Sequence, residues 1–274
     1  MRILWLFVIA LPIFAKELFL VSILPQKYVI DSIVKERFTT EVLLPKGASP
    51  VTYTLKPSEL HKIQSASRYF TIGVPFERAW LPKFKELNPK LHLIDMGRYC
   101  RRFSMTHHHH DEHEDHQRLD PHIWLAPTYL IAMARVVLQE AIAIDPDHAS
   151  QFLANYRIFA QNMAKLDEEL YSQLLGKRRA FMVFHPSFGY FARFYDLTQI
   201  AIEEEGKEPK MRHLLKIAKI AQTLHITTIL IEPQFPKKSA QFLAKKIGAK
   251  VVIVDPLAYD IPATLEEVAR VIGD

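Results

Sequence analysis

Residues 146–176 read PDHASQFLANYRIFAQNMAKLDEELYSQLLG. Phe152, Tyr156, Phe159, Met163, Leu166, Leu170 and Leu174 recur every three or four positions, the period of one helix face. Pro146 opens the run and Gly176 closes it, so the spacing predicts a helix from His148 to about Leu175. A helix of that length exceeds what one small lobe needs. It is expected to run along two lobes and join them.

On either side the pattern changes to short apolar runs alternating with helical spacing. Upstream, Leu18 to Leu24 reads as a strand with a turn at Pro25, and TTEVLLP, YFTIGV and LHLIDM as further strands. Helices are expected between them, the one after Pro57 with Ser58 as its N-cap, and another runs from Pro127 to about Ile144. Downstream, AFMVFH, RFYDLTQIAI, TTILIE and KVVIVD supply strands; MRHLLKIAKIAQTL, KSAQFLAKKI and TLEEVARVIGD supply helices. Such alternation implies an α/β fold of two lobes, each a mostly parallel sheet flanked by helices, with a cleft between them. The expected divisions are a leader at 1–15, an N-terminal lobe at 16–145, the joining helix at 146–176 and a C-terminal lobe at 177–274.

The 274 residues are 49% hydrophobic and 24% charged, with a formal net charge of +5. That is the balance of a soluble globular chain. Basic residues are scattered among acids apart from Arg98, Arg101 and Arg102, which argues against nucleic acid as a partner. The opening MRILWLFVIALPIFA has an early Arg2, an apolar run and a closing Ala15, the form of a secretory signal cleaved after Ala15. No other stretch reads as long and apolar enough to span a bilayer. Cys100 is the single cysteine, so the exported chain relies on its core rather than on disulfides. It reads as an ordinary small side chain at a strand-to-loop junction.

Ligands of open α/β sheets sit beyond the carboxyl ends of strands. There the sequence has His185-Pro186, Glu232-Pro233 and Asp255-Pro256, with His122 following Pro121 at a further turn. Two imidazoles and two carboxylates, each stiffened by a neighbouring proline, suit a borderline divalent cation such as zinc. The run HHHHDEHEDH at 107–116 points the same way: His107, His108, His109, His110, His113 and His116 alternate with carboxylates in a solvated loop spanning about 104–118.

These residues, with Gly47-Ala48-Ser49-Pro50, Lys56-Pro57-Ser58-Glu59-Leu60, Gly73 to Trp80, Asp120 to Leu125, Phe184 to Phe191, Glu205 to Pro209, Ile231 to Phe235 and Asp255 to Leu257, carry a resemblance. The chain resembles the periplasmic metal-binding receptors of bacterial ABC importers for zinc and manganese, in the zinc branch. The resemblance implies metal held in the cleft by His122, His185 and, variably, Asp255. It departs at one place, where the family's first ligand His is replaced by Val51, whose isopropyl group cannot bind a cation. Three repairs are open: a loop histidine such as His113 or His116, water or a nearby carboxylate, or a changed metal preference. Glu232 is either a ligand or a partner orienting a ligand imidazole. The acid run Glu203-Glu204-Glu205 reads as a polar turn or a contact between lobes, without a metal role.

The implied function is capture of Zn²⁺ by a monomeric, non-enzymatic periplasmic receptor that delivers it to an ABC permease, the His-rich loop acting as an accessory collector. Other divalent transition metals fit the same donors. A periplasmic zinc buffer or a surface adhesin without a transport role is the alternative. A zinc hydrolase is disfavoured by the lack of a His-Glu-x-x-His helix.

Overall fold

The computed structural model describes residues 16–105, 119–177, 180–204 and 207–273. The leader and the His-rich run 107–116 therefore lie outside the described residues. The first half runs β1 (Leu18–Val21), α1 (Leu24–Val34), β2 (Thr39–Val42), α2 (Pro57–Ser65), β3 (Arg68–Thr71), α3 (Pro75–Leu87) and β4 (His92–Asp95). Next come α4 (Pro127–Ile144) and α5 (Ala149–Leu174). The second half runs β5 (Ala180–Val183), α6 (Gly189–Phe194), β6 (Thr198–Ala201), α7 (Met211–Thr223), β7 (Thr228–Ile231), α8 (Lys238–Ile247), β8 (Lys250–Ile253) and α9 (Ile261–Gly273).

Both halves use one plan. The sheet orders are β2-β1-β3-β4 and β6-β5-β7-β8, and every pairing is parallel. The strand order therefore reverses between β1 and β3, and again between β5 and β7. Those are the crevices where such sheets take ligands.

The long helix is as expected: Phe152, Phe159, Met163, Leu166, Leu170 and Leu174 are buried along one face. Gly176 comes after it at φ 72°, a left-handed position that a side chain would strain. Three local expectations need correcting. Pro25 lies in the first turn of α1 rather than in a preceding turn, because β1 already ends at Val21. Ser58 is not the cap of α2. Lys56 holds that position, Pro57 comes next, and the Glu59 carboxylate accepts the Lys56 N–H at 2.6 Å. Finally, Pro127–Ile144 is by length and composition apolar enough to cross a membrane. Its apolarity has another use here, since α4 packs against both α1 and α5 and buries Leu130, Met133, Val136, Val137 and Leu138.

One apolar core runs through both halves. It joins Phe19, Phe38 and Phe152, whose rings stack at 4.8 and 5.8 Å, to α4, α5 and the Leu265, Val268 and Ile272 face of α9. A smaller core lies on the other face of the second sheet. The pleat sorts the side chains: Phe181 and Val183 of β5 enter the shared core, and Met182 and Phe184 enter the smaller one.

Candidate metal centre

His122 is fixed by the turn directly after it. Ile123–Leu125 form a single helical turn whose three side chains are fully buried. Within it, Trp124 Nε1 donates to the Pro256 carbonyl at 2.7 Å, across to the turn between β8 and α9. The Asp120 carboxylate holds the imidazole itself. Its Oδ1 accepts the His122 backbone N–H at 2.9 Å and lies 2.7 Å from Nδ1. A carboxylate on Nδ1 keeps the proton there and leaves Nε2 as the free electron pair.

His185 stands two residues past the end of β5, and its ring stacks on Phe235 at 5.5 Å. Its Nδ1 lies 2.9 Å from Glu203 Oε1, a close contact without the geometry of a regular hydrogen bond. Glu203 is only 7% exposed. Of the acid run, Glu203 lies in a bend after β6, buried beside His185; Glu204 bridges back to Lys207; Glu205 lies outside the described residues. The sheet explains the pairing: Val183 of β5 is in register with Ala201 of β6. Two residues further along each strand stand His185 and Glu203.

The two imidazoles come from opposite halves and meet edge to face, ring centroids 5.3 Å apart at 67°. His122 has the Asp120 carboxylate hydrogen-bonded at Nδ1, which leaves its electron pair on Nε2; at His185 the Glu203 carboxylate stands beside Nδ1 without a regular hydrogen bond.

Glu232, at the end of β7, touches the segment rather than the ring. It accepts the Ser187 hydroxyl at 2.9 Å and lies 3.4 Å from the His185 backbone nitrogen. Burial pushes its carboxyl up to about 7, opposed first by the nearby His185. Asp255 Oδ1 accepts the Leu257 N–H at 2.9 Å and lies 3.4 Å from Gln234 Nε2. Among the described residues no three of His, Cys, Asp and Glu converge as a metal cluster. The structure brings His122 and His185 together. Val51 is 67% exposed, at the tip of the loop after β2. His61 is an exposed helix residue, and half-buried Cys100 has its thiol pushed up to about 12 by burial.

The crevice of the first sheet is closed by its own side chains. Glu77, on the first turn of α3, reaches into the gap between β1 and β3. Its carboxylate accepts the N–H groups of Ile72 at 3.0 Å and Gly73 at 2.6 Å and the Ser22 hydroxyl. Burial still pushes it up to about 7. Nothing in the sequence marks Glu77 apart from any other acid of a helix first turn.

A family model described as "Zinc-uptake complex component A periplasmic" matches residues 20–267. The high-affinity zinc uptake system protein ZnuA of Bacillus subtilis is 25% identical over 237 residues, 82% of this chain and 73% of that protein. The protein of the same description from Yersinia pestis is 25% identical over 264 residues, 88% of this chain and 83% of that one. A crystal structure of ZnuA superposes with a TM-score of 0.87 at 36% identity, covering 94% of this chain and 98% of the other. With matched residues running from β1 into α9, the chain belongs to the family of periplasmic zinc-uptake component A proteins, which are solute-binding receptors and not enzymes.

Proposed function

We propose that this protein captures Zn²⁺ outside the cytoplasmic membrane and hands it to the permease of an ABC importer. The observation that carries the reading is the pair His122 and His185, one from each half, their rings edge to face, with Asp120 hydrogen-bonded to one Nδ1 and Glu203 beside the other. Nitrogen donors oriented in this way are those zinc takes, and other late divalent metals fit them as well. Zinc is cargo here, so its site needs to open as well as to hold.

His122 and His185 are the first two ligands in this reading, and Asp255 is the third. Zinc with three protein ligands keeps a fourth position open, which water or another donor fills. Glu232 supports the His185 segment through Ser187 and the backbone. His107, His108, His109, His110, His113 and His116 form an accessory collector that raises the local metal concentration. The mature chain is read as a monomer of the periplasm, released from its leader after Ala15.

Val51 favours a second reading, a periplasmic zinc buffer without transport, because the family's first ligand is missing. Zinc titration calorimetry on the mature chain, beside H122A, H185A and a deletion of 107–116, tests the site. One tight equivalent surviving the deletion, and lost in both His variants, supports it. Binding that disappears with the deletion and persists in the His variants refutes it. Restoration of zinc-limited growth in cells lacking their own receptor separates transport from buffering.

A further inference from the structure

Asp120 carries contacts from both halves of the molecule. On its own side it holds the backbone N–H and Nδ1 of His122. On the other side its second carboxylate oxygen faces Gly189, the first residue of α6. A Cβ at Gly189 would stand 2.8 Å from Asp120 Oδ2. A side chain there would displace the Asp120 carboxylate, and the effect is one of space, since the φ of Gly189 is not among the positive ones.

The next residue adds a second link. Tyr190 donates its hydroxyl to the Asp120 carbonyl at 2.9 Å and accepts the Phe103 N–H at 3.2 Å. Asp120 is 4% exposed and Tyr190 2%, so these contacts are shielded from water, where hydrogen bonds constrain geometry most. Helix α6 begins four residues after His185. The element just beyond one imidazole therefore lies against the residue that orients the other, bonded to its backbone carbonyl and leaving room for its carboxylate.

We propose that Gly189 and Tyr190 are positioning residues for metal capture, acting on His122 across the cleft through Asp120. The inference rests on the reading of His122 as a ligand. With the halves seated, Gly189 and Tyr190 keep the Asp120 carboxylate on Nδ1 and Nε2 aimed for the metal. With the halves parted, Asp120 loses both contacts and the imidazole is free to turn. Loss of affinity then comes from separation of the halves, with no chemical change at the metal.

The test uses the mature full-length chain. Zn²⁺ affinity is measured by competition with a chelating dye at one fixed pH, and Co²⁺ serves as a spectroscopic probe of ligand geometry. Gly189→Ala wedges the contact open without touching a ligand. Tyr190→Phe removes two hydrogen bonds, keeps the ring, and decides the matter if the alanine variant folds poorly. Partners of metal-bound histidines are worth about 10–100-fold in affinity. Gly189→Ala is expected to weaken zinc by about 10-fold or more and Tyr190→Phe by less, each with an altered Co²⁺ band. Wild-type affinity and Co²⁺ spectra in both, with H122A losing binding, would overturn the positioning role while sparing the site. Wild-type zinc binding by H122A would overturn the site reading, and this inference with it.

Discussion

Glu77→Gln should remove a pH dependence of folding whose sign and size come from burial. The wild-type carboxyl is pushed from 4.5 up to about 7. Between those two values the folded chain binds the proton and the unfolded chain does not, so stability falls as pH rises through that window. Below 4.5 the effect is absent, and above 7 it is complete. At about 1.4 kcal/mol per pH unit the whole effect is about 3 kcal/mol, of which about 2.5 kcal/mol develops between pH 5 and 8. Glutamine keeps the shape and cannot ionise. Urea unfolding of metal-free protein at pH 5 and pH 8 gives four stabilities. The variant should gain about 2.5 kcal/mol on wild type over that interval. Glu232, with its carboxyl likewise pushed up to about 7, is common to both proteins and cancels. A difference between variant and wild type that stays the same at both pH values would refute this origin of the pH dependence.

Phe152→Ala removes a buried ring stacked on Phe38 and should cost about 3–5 kcal/mol in urea unfolding; a loss below about 1 kcal/mol would show that the site collapses freely. Trp124→Phe leaves the Pro256 carbonyl without its donor and should cost about 1–3 kcal/mol, read as a lowered midpoint in the same assay. The Cys100 thiol, pushed up to about 12 by burial against the opposing charge of Arg102, should react with a disulfide reagent at pH 8 far more slowly in the native protein than in urea; equal rates would contradict its burial.

The fold was legible because period carries far in this chain. Leu166, Leu170 and Leu174 announce a helix whatever surrounds them, and the runs ending at Val183, Ile231 and Ile253 announce strands. The ends of elements were less so, since a cap is decided by a turn of backbone: Lys56, not Ser58, holds the start of α2. The apolarity of α4 has two physical explanations, lipid and core, and only packing against α1 and α5 chooses between them.

At the site, the strand-end rule reached His185 and the turn after Pro121 reached His122, and the two do meet. It did not reach their partners. Glu203 stands beside His185 because β6 pairs with β5, and no local pattern states which strand lies next to which. Asp120 stands inside a recognisable motif, yet its grip on His122 is a matter of side-chain rotamer. Tyr190 acts on residues 103 and 120 from the other half, a separation at which sequence period says nothing.

Helix α9 supplies Ile261, Leu265, Val268 and Ile272 to the same core as Phe19 and Phe38. That arrangement sets a clock on biosynthesis. A ribosome delivers the chain amino end first, and the roughly hundred residues from the end of α5 to the end of α9 take about 5–20 s at ~5–20 residues per second. For that interval the face of α5 that α9 packs against lacks its last cover, and the core shared by the two halves stays open at that side.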